Sequence, residues 1–151
     1  AVGEVNVVQT MKENEAVIGG EGNGGIIVPE LHYGRDALAG IALFLSHLAK
    51  FGKSASRLRA TYPSYFMNKS KIELTPDVDL DKIIDSIKQK YTKEKINTID
   101  GLRIDFQDQW VHLRKSNTEP IIRIYAESDA MVKAELLCNK IITDIKDFIH
   151  S

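Results

Sequence analysis

The sequence predicts an α/β segment that is incomplete, followed by an α+β segment with two helices on an antiparallel sheet. Two observations lead to this prediction. In the second half, short apolar runs alternate with polar residues at hairpin spacing, and two longer stretches repeat apolar residues every three or four positions. In the first half, a glycine-rich turn separates two short apolar runs, and a long apolar helix follows.

The first half has five predicted elements: a helix over 1–12, a buried strand over 16–20, a strand over 26–28, a helix over 35–51 and a short helix over 55–59. The first helix is predicted because Val5, Val8 and Met11 recur at intervals of three. Gly52 is predicted to end the long helix, and Ser54 to cap the short one. The long helix is predicted because Leu38, Ile41, Ala42, Leu45 and Leu48 fall on one face.

Two short strands make a poor sheet core, because two-stranded sheets are marginal in isolation. The first half therefore has the pattern of an incomplete domain. The run Thr61-Tyr62-Pro63-Ser64 breaks the periodicity and marks a predicted domain boundary. The expected domains cover residues 1–62 and 63–151.

The second half is predicted to run β-α-β-β-β-β-α. Its expected strands cover 65–74, 96–98, 102–106, 109–114 and 121–127. One amphipathic helix is indicated by Leu80, Ile83, Ile84, Ile87 and Tyr91, and a terminal helix by Ala134, Leu137, Ile141, Ile145 and Phe148. The single cysteine, Cys138, lies in the terminal helix stripe, where a buried structural thiol is expected rather than a nucleophile.

A short polar turn between the last two predicted strands is flanked by two arginines. Arg114 precedes the turn, Arg123 follows it, and Ser116, Asn117 and Thr118 lie between them. Strand alternation puts both arginines on the face away from the core. Two guanidinium forks and several small hydrogen-bonding groups suit a tetrahedral dianion better than a planar carboxylate.

This interpretation assumes that residue 114 lies opposite residue 121, and residue 112 opposite residue 123. From the residues alone an alternative stays open, since Ser-Asn-Thr is also ordinary turn chemistry and arginines are common on a solvated strand face.

Composition limits the classes of function. The chain is 43% hydrophobic and 27% charged, as expected of a globular protein, and its formal net charge is −1. That charge predicts no bulk attraction to nucleic acid or to an anionic membrane. No apolar run reaches the roughly 20 residues that span a bilayer. One cysteine and four scattered histidines form no zinc-type pattern, and a cytoplasmic location is expected.

The turn Arg114-Lys115-Ser116-Asn117-Thr118-Glu119-Pro120 resembles the phosphate-binding loop, Arg-x-Ser-Asn-Thr-x-Pro, of the α-D-phosphohexomutases. This family includes phosphoglucomutase, phosphomannomutase and phosphoglucosamine mutase. The glycine-rich turn over 19–25 resembles the sugar-binding loop of the family's third domain, and the two motifs have the family's order and separation. The resemblance covers essentially the whole chain. It is to the C-terminal part of such an enzyme, with the latter part of domain 3 followed by domain 4.

The resemblance implies roles for both loops. Glu21, Asn23 and Gly24 are expected to bind sugar hydroxyls. The phosphate that does not react is expected to bind Arg114, Ser116, Asn117, Thr118 and Arg123. Some relatives carry Glu-x-Ser-Gly-His in the sugar loop, where this chain has Asn23 and Gly25. Glucose, mannose and glucosamine phosphates therefore all remain open as substrates.

Two acidic residues have open interpretations. Glu4 lies where some relatives carry a histidine that faces the ligand, although a solvated helix carboxylate is the alternative. Glu119 is unexpected beside a dianion, and either points outward or pairs with Arg123.

In the whole enzyme the resemblance implies phosphate transfer between the 1- and 6-positions of a hexose through a phosphoserine. It also implies Mg²⁺ and a hexose bisphosphate activator. A Thr-Ala-Ser-His-Asn-Pro segment and an Asp-Gly-Asp-x-Asp-Arg segment are both absent from this sequence. Asp100-Gly101-Leu102-Arg103 lacks the repeated aspartates, and Ser46-His47 falls inside a predicted helix.

We therefore expect no catalytic residue and no metal ligand in this chain, and no activity from it alone. Its expected partners are a hexose phosphate and the N-terminal domains of the same enzyme. The alternative is a non-catalytic module that binds phosphate or another anion. An aromatic content of 7% argues against a nucleic-acid stacking surface.

Overall fold

The computed structural model describes residues 1–74, 78–116 and 119–149. The chain divides into two compact units, Ala1–Pro63 and Ser64–Ser151. The first unit contains α1 (Glu4–Glu13), β1 (Gly19–Gly20), β2 (Ile26–Ile27), α2 (Ala37–Phe51) and α3 (Ala55–Arg59). The second contains β3 (Phe66–Glu73), α4 (Leu80–Lys90), β4 (Lys95–Asn97), β5 (Leu102–Asp105), β6 (Gln109–Lys115), β7 (Ile121–Ser128) and α5 (Met131–Ile149).

The second unit has the predicted order of elements. Its five strands form one antiparallel sheet in the order β3-β7-β6-β5-β4. Because β7 lies beside both β3 and β6, the hairpin that carries Arg114 and Arg123 is at the centre of the sheet. The predicted fold class, a mixed α/β chain with two helices on an antiparallel sheet in its second half, is confirmed.

The core of the second unit lies between the sheet and the two helices. Alternate sheet residues such as Leu113 and Ile124 are fully buried against α4 and α5. The predicted core positions of α4 are buried at Leu80, Ile83, Ile87 and Tyr91, and those of α5 at Ala134, Leu137, Ile141 and Ile145. Phe148 was predicted to join them but is 37% exposed, one residue before the end of α5. The helices thus cover one face of the sheet, and the polar residues of the strands occupy the other.

The assumed register of the β6–β7 hairpin is wrong. Arg114 lies opposite Arg123, and His112 lies opposite Tyr125. Pairing continues to Lys115, which lies opposite Ile122. A shift of two positions preserves the face of every side chain, because side chains alternate with a period of two. The conclusion that both arginines share the face away from the core is unaffected.

The first unit differs from prediction at its first strand. The buried strand expected over 16–20 is reduced to β1, and Val17 and Ile18 are 82% and 52% exposed. The reason is the short antiparallel pairing of β1 with β2, which joins Gly19 to Ile27 and Gly20 to Ile26. In this unit no further strand adjoins the pair, so the preceding residues have no sheet to enter.

The long helix of the first unit has the predicted ends. Asp36 caps α2 by accepting a hydrogen bond from Ala39 N–H at 2.9 Å, and Gly52 ends it in the left-handed region at φ 68°. The apolar face identified from the sequence is exposed, since Leu38 and Ile41 are 78% and 53% exposed. The side of α2 that meets β2 is instead at Gly40, where an added β-carbon would lie 3.0 Å from Ile26.

The short helix α3 begins as predicted. Ser54 Oγ accepts a hydrogen bond from Arg57 N–H at 3.4 Å. Leu58 of this helix is buried together with Met11 and Ile27, and these are the buried apolar side chains of the first unit. No helix in the described ranges has both the length and the apolar character that a membrane crossing requires.

Cys138 is buried in α5, as predicted. Its thiol lies 3.8 Å from the carbonyl oxygen of Asn68 and 3.9 Å from that of Ile124. Burial raises the pKa of this thiol, so the nucleophilic thiolate is disfavoured. The described geometry fits a structural role.

The two helices of the second unit are joined by a polar contact that a substitution tests. Tyr91 Oη donates to Asp144 Oδ2 at 2.6 Å, and Lys90 Nζ lies 2.6 Å from Asp144 Oδ1. Tyr91→Phe removes one donor to a carboxylate that is 9% exposed. We expect the free energy of unfolding, measured by urea denaturation, to fall by about 1–3 kcal/mol. Tyr65→Phe, at a tyrosine that is 60% exposed, is the control and should change it by less than about 0.5 kcal/mol.

The same contact predicts a pH dependence. Burial, and then the hydrogen bond to Asp144, raise the pKa of Tyr91. The unfolded chain releases this proton near pH 10, whereas the folded chain retains it. The contribution of Tyr91 to the free energy of unfolding is therefore fully present below about pH 9 and declines as the pH rises further. Denaturation between pH 8 and 11 should show a steeper loss for the original chain than for Tyr91→Phe. Equal slopes would contradict this role.

Candidate functional site

The centre of the open sheet face carries a row of cations. Arg114 on β6 lies opposite Arg123 on β7, and Arg123 lies opposite Lys71 on β3. Directly opposed side chains on one face have β-carbons about 5 Å apart, so their charges interact. Sequence reasoning missed Lys71, because the pairing of β3 with β7 is not visible in the sequence.

Each cation of the row has a carboxylate partner. Arg114 Nε donates to Asp100 Oδ1 at 3.1 Å, with the two side chains 32% and 26% exposed. Arg123 Nη2 lies 3.7 Å from Glu119 Oε2, with about half of each side chain exposed. Glu119 therefore pairs with Arg123, which decides between its two open interpretations. Lys71 pairs with Glu73 at 3.3 Å.

The described ends of the loop between the arginines are held by main-chain hydrogen bonds. Ser116 N–H donates to Ile121 C=O at 3.1 Å, and Ile121 N–H donates to Glu119 C=O at 2.8 Å. Ser116 is buried, at 7% exposed. The structure thus brings Arg114 and Arg123 together and places Ser116 at the end of β6. The other two predicted phosphate ligands, Asn117 and Thr118, lie outside the described residues.

A second turn adjoins Arg114. The carbonyl oxygen of Asp100 accepts a hydrogen bond from the His112 ring at Nε2. Gly101 has φ +77°, and a β-carbon there would collide with the carbonyl oxygen of Leu113. The turn therefore approaches β6 more closely than a residue with a side chain allows. The Asp-Gly pair is a turn signal in the sequence, but its contact with Arg114 depends on the β5–β6 pairing.

Farther along the same face, Arg103 and Trp110 form a separate cluster. The Arg103 guanidinium lies 4.4 Å from the centre of the Trp110 ring, and Arg103 Nε donates to Asp105 Oδ1 at 2.8 Å. Trp110 Nε1 donates to Glu127 Oε1 at 3.0 Å. Each polar group named here has a protein partner.

The glycine-rich loop of the first unit is a tight hairpin between β1 and β2. Glu21 N–H donates to Gly25 C=O, and Gly24 N–H donates to Glu21 C=O, each at 3.1 Å. The Asn23 side chain accepts from Gly25 N–H at 2.9 Å and donates to Glu21 Oε2 at 3.3 Å. Gly20 allows the close pairing, because a β-carbon there would collide with the Gly25 carbonyl.

The predicted sugar ligands do not all face one space. Asn23 and Gly24 line an open cleft of about 570 Å³ together with Gly25, Ile26, Glu4, Arg35 and Ala37. The Glu21 carboxylate accepts from Gly3 N–H at 3.1 Å, just before α1. Glu21 thus ties the loop to the start of that helix as well as to Asn23.

Glu4 is not simply a solvated helix carboxylate, because it pairs with Arg35. Its carboxylate lies 2.8 Å from Arg35 Nε and also accepts from Arg35 N–H at 3.3 Å. This ion pair forms the charged wall of the cleft. Nearby, Asp36 Oδ2 lies 3.2 Å from His32 Nε2. The hydrogen bond from Ala39 N–H, followed by weaker effects that include His32, lowers the pKa of Asp36, as suits a helix cap.

The donor set does not fit a protein-bound magnesium site. Among the described residues, no group of three His, Cys, Asp or Glu side chains converges as metal ligands would. Mg²⁺ takes carboxylate and phosphate oxygens in octahedral geometry. No step through a metal ion is therefore assigned to this chain.

Two family models match the chain consecutively. The alpha/beta/alpha domain III of phosphoglucomutase/phosphomannomutase matches residues 1–65, and the C-terminal domain of phosphoglucomutase/phosphomannomutase matches residues 70–143. The chain belongs to the phosphoglucomutase/phosphomannomutase family, the phosphohexomutases, and corresponds to the C-terminal part of its members.

Individual relatives agree with this assignment. The phosphoglucosamine/phosphogalactosamine mutase of Sulfurisphaera tokodaii is 35% identical over 151 residues, covering 99% of this chain and 32% of that protein. The phosphoglucomutase/phosphomannomutase of Thermococcus kodakarensis is 39% identical over 135 residues, covering 88% of this chain and 29% of that protein. The chain spans about a third of the length of the curated relatives it matches.

A solved structure shares the fold. A phosphoglucomutase/phosphomannomutase family protein from Burkholderia thailandensis superposes with a TM-score of 0.70 at 25% sequence identity. The match covers 96% of this chain and 32% of that one.

The Asp100–Gly101 turn offers a stability test of the site. Gly101→Ala places a β-carbon against the Leu113 carbonyl and strains a positive φ. We expect the free energy of unfolding to fall by about 1–3 kcal/mol. Gly22→Ala is the control, because an added β-carbon there meets nothing within 4 Å. Thermal denaturation of both variants measures the difference, and an unchanged midpoint for Gly101→Ala would contradict the close approach.

Proposed function

We propose that this chain is the phosphosugar-binding C-terminal part of a phosphohexomutase. The observation that carries the proposal is the direct pairing of Arg114 with Arg123 across the β6–β7 hairpin. Like charges placed opposite each other destabilise a sheet unless an anion offsets them. A dianion bound by both guanidinium groups offsets this repulsion and matches their fork geometry.

The proposed anion is the phosphate of a hexose phosphate that does not react. Beside the two arginines, its proposed ligands are Ser116, Asn117 and Thr118, in the loop that resembles the family's phosphate-binding loop. A remote phosphate held in this way fixes the orientation of the sugar. Binding energy used for orientation can lower a reaction barrier by several kcal/mol.

Sugar hydroxyls are the proposed ligands of the glycine-rich loop. Asn23 and Gly24 lie on the open cleft of the first unit, and the Glu21 carboxylate is within hydrogen-bond distance of Asn23. A carboxylate and a carboxamide can together accept from and donate to vicinal hydroxyls. We propose Glu21, Asn23 and Gly24 as the sugar-binding residues of this chain.

The remaining parts of the reaction are proposed to come from the rest of a longer protein. The relatives are about three times as long as this chain. Exposed apolar residues of the first unit, such as Leu38 and Phe44, support cover by a preceding segment of the same domain. That longer protein would contribute the phosphoserine that moves phosphate between the 1- and 6-positions, and the Mg²⁺ site. The proposed boundary between domains 3 and 4 is at residues 62–63.

The alternative function is a non-catalytic module that binds phosphate or another anion. The hairpin arginines favour it as much as they favour a mutase, because they recognise only the phosphate. The sugar loop distinguishes the two functions. A hexose 6-phosphate should bind more tightly than inorganic phosphate if Glu21 and Asn23 contribute, whereas equal affinity favours the anion module.

Substitution of the hairpin arginines tests the phosphate site. Arg114→Gln and Arg123→Gln should each weaken glucose 6-phosphate binding, measured by calorimetry, about tenfold or more, since hydrogen bonds to charged groups contribute about 1.5–3 kcal/mol. Arg103→Gln is the matched control, because Arg103 lies on the same face but pairs with Asp105. If Arg114→Gln and Arg123→Gln bind glucose 6-phosphate as tightly as the original chain and Arg103→Gln do, the hairpin is not the phosphate site.

An activity assay of the chain alone tests the proposal that the catalytic groups lie in the rest of a longer protein. We expect no conversion of glucose 1-phosphate to glucose 6-phosphate in the presence of Mg²⁺. The full-length phosphoglucomutase/phosphomannomutase of Thermococcus kodakarensis serves as the positive control. Detectable, Mg²⁺-dependent conversion by this chain would contradict the proposal that the nucleophile and metal site lie elsewhere.

A further inference from the structure

We propose that Asp100 is a positioning residue of the phosphate site, which holds the Arg114 guanidinium in the orientation that binds phosphate. The proposal rests on the function proposed above for the β6–β7 hairpin. Asp100 does not belong to the loop between Arg114 and Arg123. It reaches the site from the turn before β5, which β-sheet pairing places beside β6.

The contact uses one edge of the guanidinium. Asp100 Oδ1 accepts from Arg114 Nε at 3.1 Å. A guanidinium has five N–H donors, and a fork with phosphate can use the terminal nitrogens. The contact at Nε orients the guanidinium through a donor other than those terminal nitrogens.

The position of Asp100 is set by its main chain. Its carbonyl oxygen is held by the His112 ring, and Gly101 packs against the Leu113 carbonyl. Both contacts are made by the main chain of the turn. They remain available when the Asp100 side chain is truncated.

The two arginines of the site are held differently. The Asp100–Arg114 contact is about one-quarter to one-third exposed, whereas Glu119 and Arg123 are 3.7 Å apart and about half exposed. Water weakens the second contact more than the first. Arg114 is thus a fixed donor and Arg123 an adaptable one, and pre-orienting a long side chain reduces the entropy lost when ligand binds.

Charge repulsion and positioning predict opposite changes in phosphate affinity when the Asp100 carboxylate is removed. A carboxylate beside a phosphate dianion is repulsive, so its removal should tighten binding if charge alone matters. If Asp100 positions Arg114, its removal should weaken binding. The sign of the change in affinity therefore separates the two.

The experiment measures glucose 6-phosphate binding to Asp100→Ala, Asp100→Asn and Asp105→Ala. Asp105→Ala is the matched control, because Asp105 also accepts from an arginine Nε, that of Arg103. We expect about a tenfold loss for Asp100→Ala, as for other groups that orient a ligand-binding side chain, a smaller loss for Asp100→Asn and no loss for Asp105→Ala. The Arg114 Nε–H resonance, assigned by its disappearance in Arg114→Lys, should exchange faster with water in Asp100→Ala only.

Three other results are possible. Unchanged or tighter binding by Asp100→Ala, with a loss in Arg114→Gln, overturns the positioning role and leaves the proposed function standing. Unchanged binding by both Asp100→Ala and Arg114→Gln overturns the proposed function itself. If Asp100→Ala does not fold, Asp100→Asn distinguishes the two roles. Its neutral acceptor should weaken binding if Asp100 positions Arg114, and should tighten binding if Asp100 only repels the phosphate.

Discussion

The structure of the second unit places two positive charges opposite each other at the centre of a sheet. Antiparallel pairing puts Arg114 against Arg123, and the pairing of β3 with β7 adds Lys71 to the same row. This arrangement is locally unfavourable, since opposed like charges on neighbouring strands repel. Folded proteins retain such conflicts mainly at functional sites, where a ligand or a partner offsets them. The partially exposed carboxylates of Asp100 and Glu119 offset part of the repulsion.

The two units differ in how well they bury their apolar residues. In the second unit, helices α4 and α5 and one face of the sheet enclose a continuous core. That core fixes the strand register, because a one-residue slip would turn Leu113 and Ile124 outward and the arginines inward. The β6–β7 hairpin is therefore built on a rigid support. The first unit leaves much of α2 exposed, in a chain that spans only about a third of the length of its relatives.

Hydrophobic periodicity predicted most of the fold. Repeats of Ile and Leu indicated α4, α5 and four of the strands, because in these segments local pattern and burial agree. It predicted the helix α2 but not the side that contacts β2, at Gly40, because the residues of α2 are apolar on several sides. It also failed at 16–20, since a strand needs a neighbour that periodicity cannot supply.

The candidate site was predictable where it depends on local sequence pattern, and not where it depends on strand pairing. Alternation placed Arg114 and Arg123 on one face, and the motif placed Ser116 between them. Register depends on loop geometry, so their direct opposition was not predicted. Asp100 and Lys71 come from other strands or turns, and only the sheet order brings them to the arginines. Residues joined by long-range pairing were therefore the ones that sequence reasoning missed.

A residue-resolved NMR titration of the chain with glucose 6-phosphate, with glucose as the comparison ligand, tests directly whether the β6–β7 hairpin binds the phosphate. We expect saturable shifts of the Arg114 and Arg123 side-chain Nε–H resonances with glucose 6-phosphate, and none of comparable size with glucose. Saturable binding of glucose 6-phosphate that leaves both resonances unmoved would contradict the claim that this hairpin holds the phosphate.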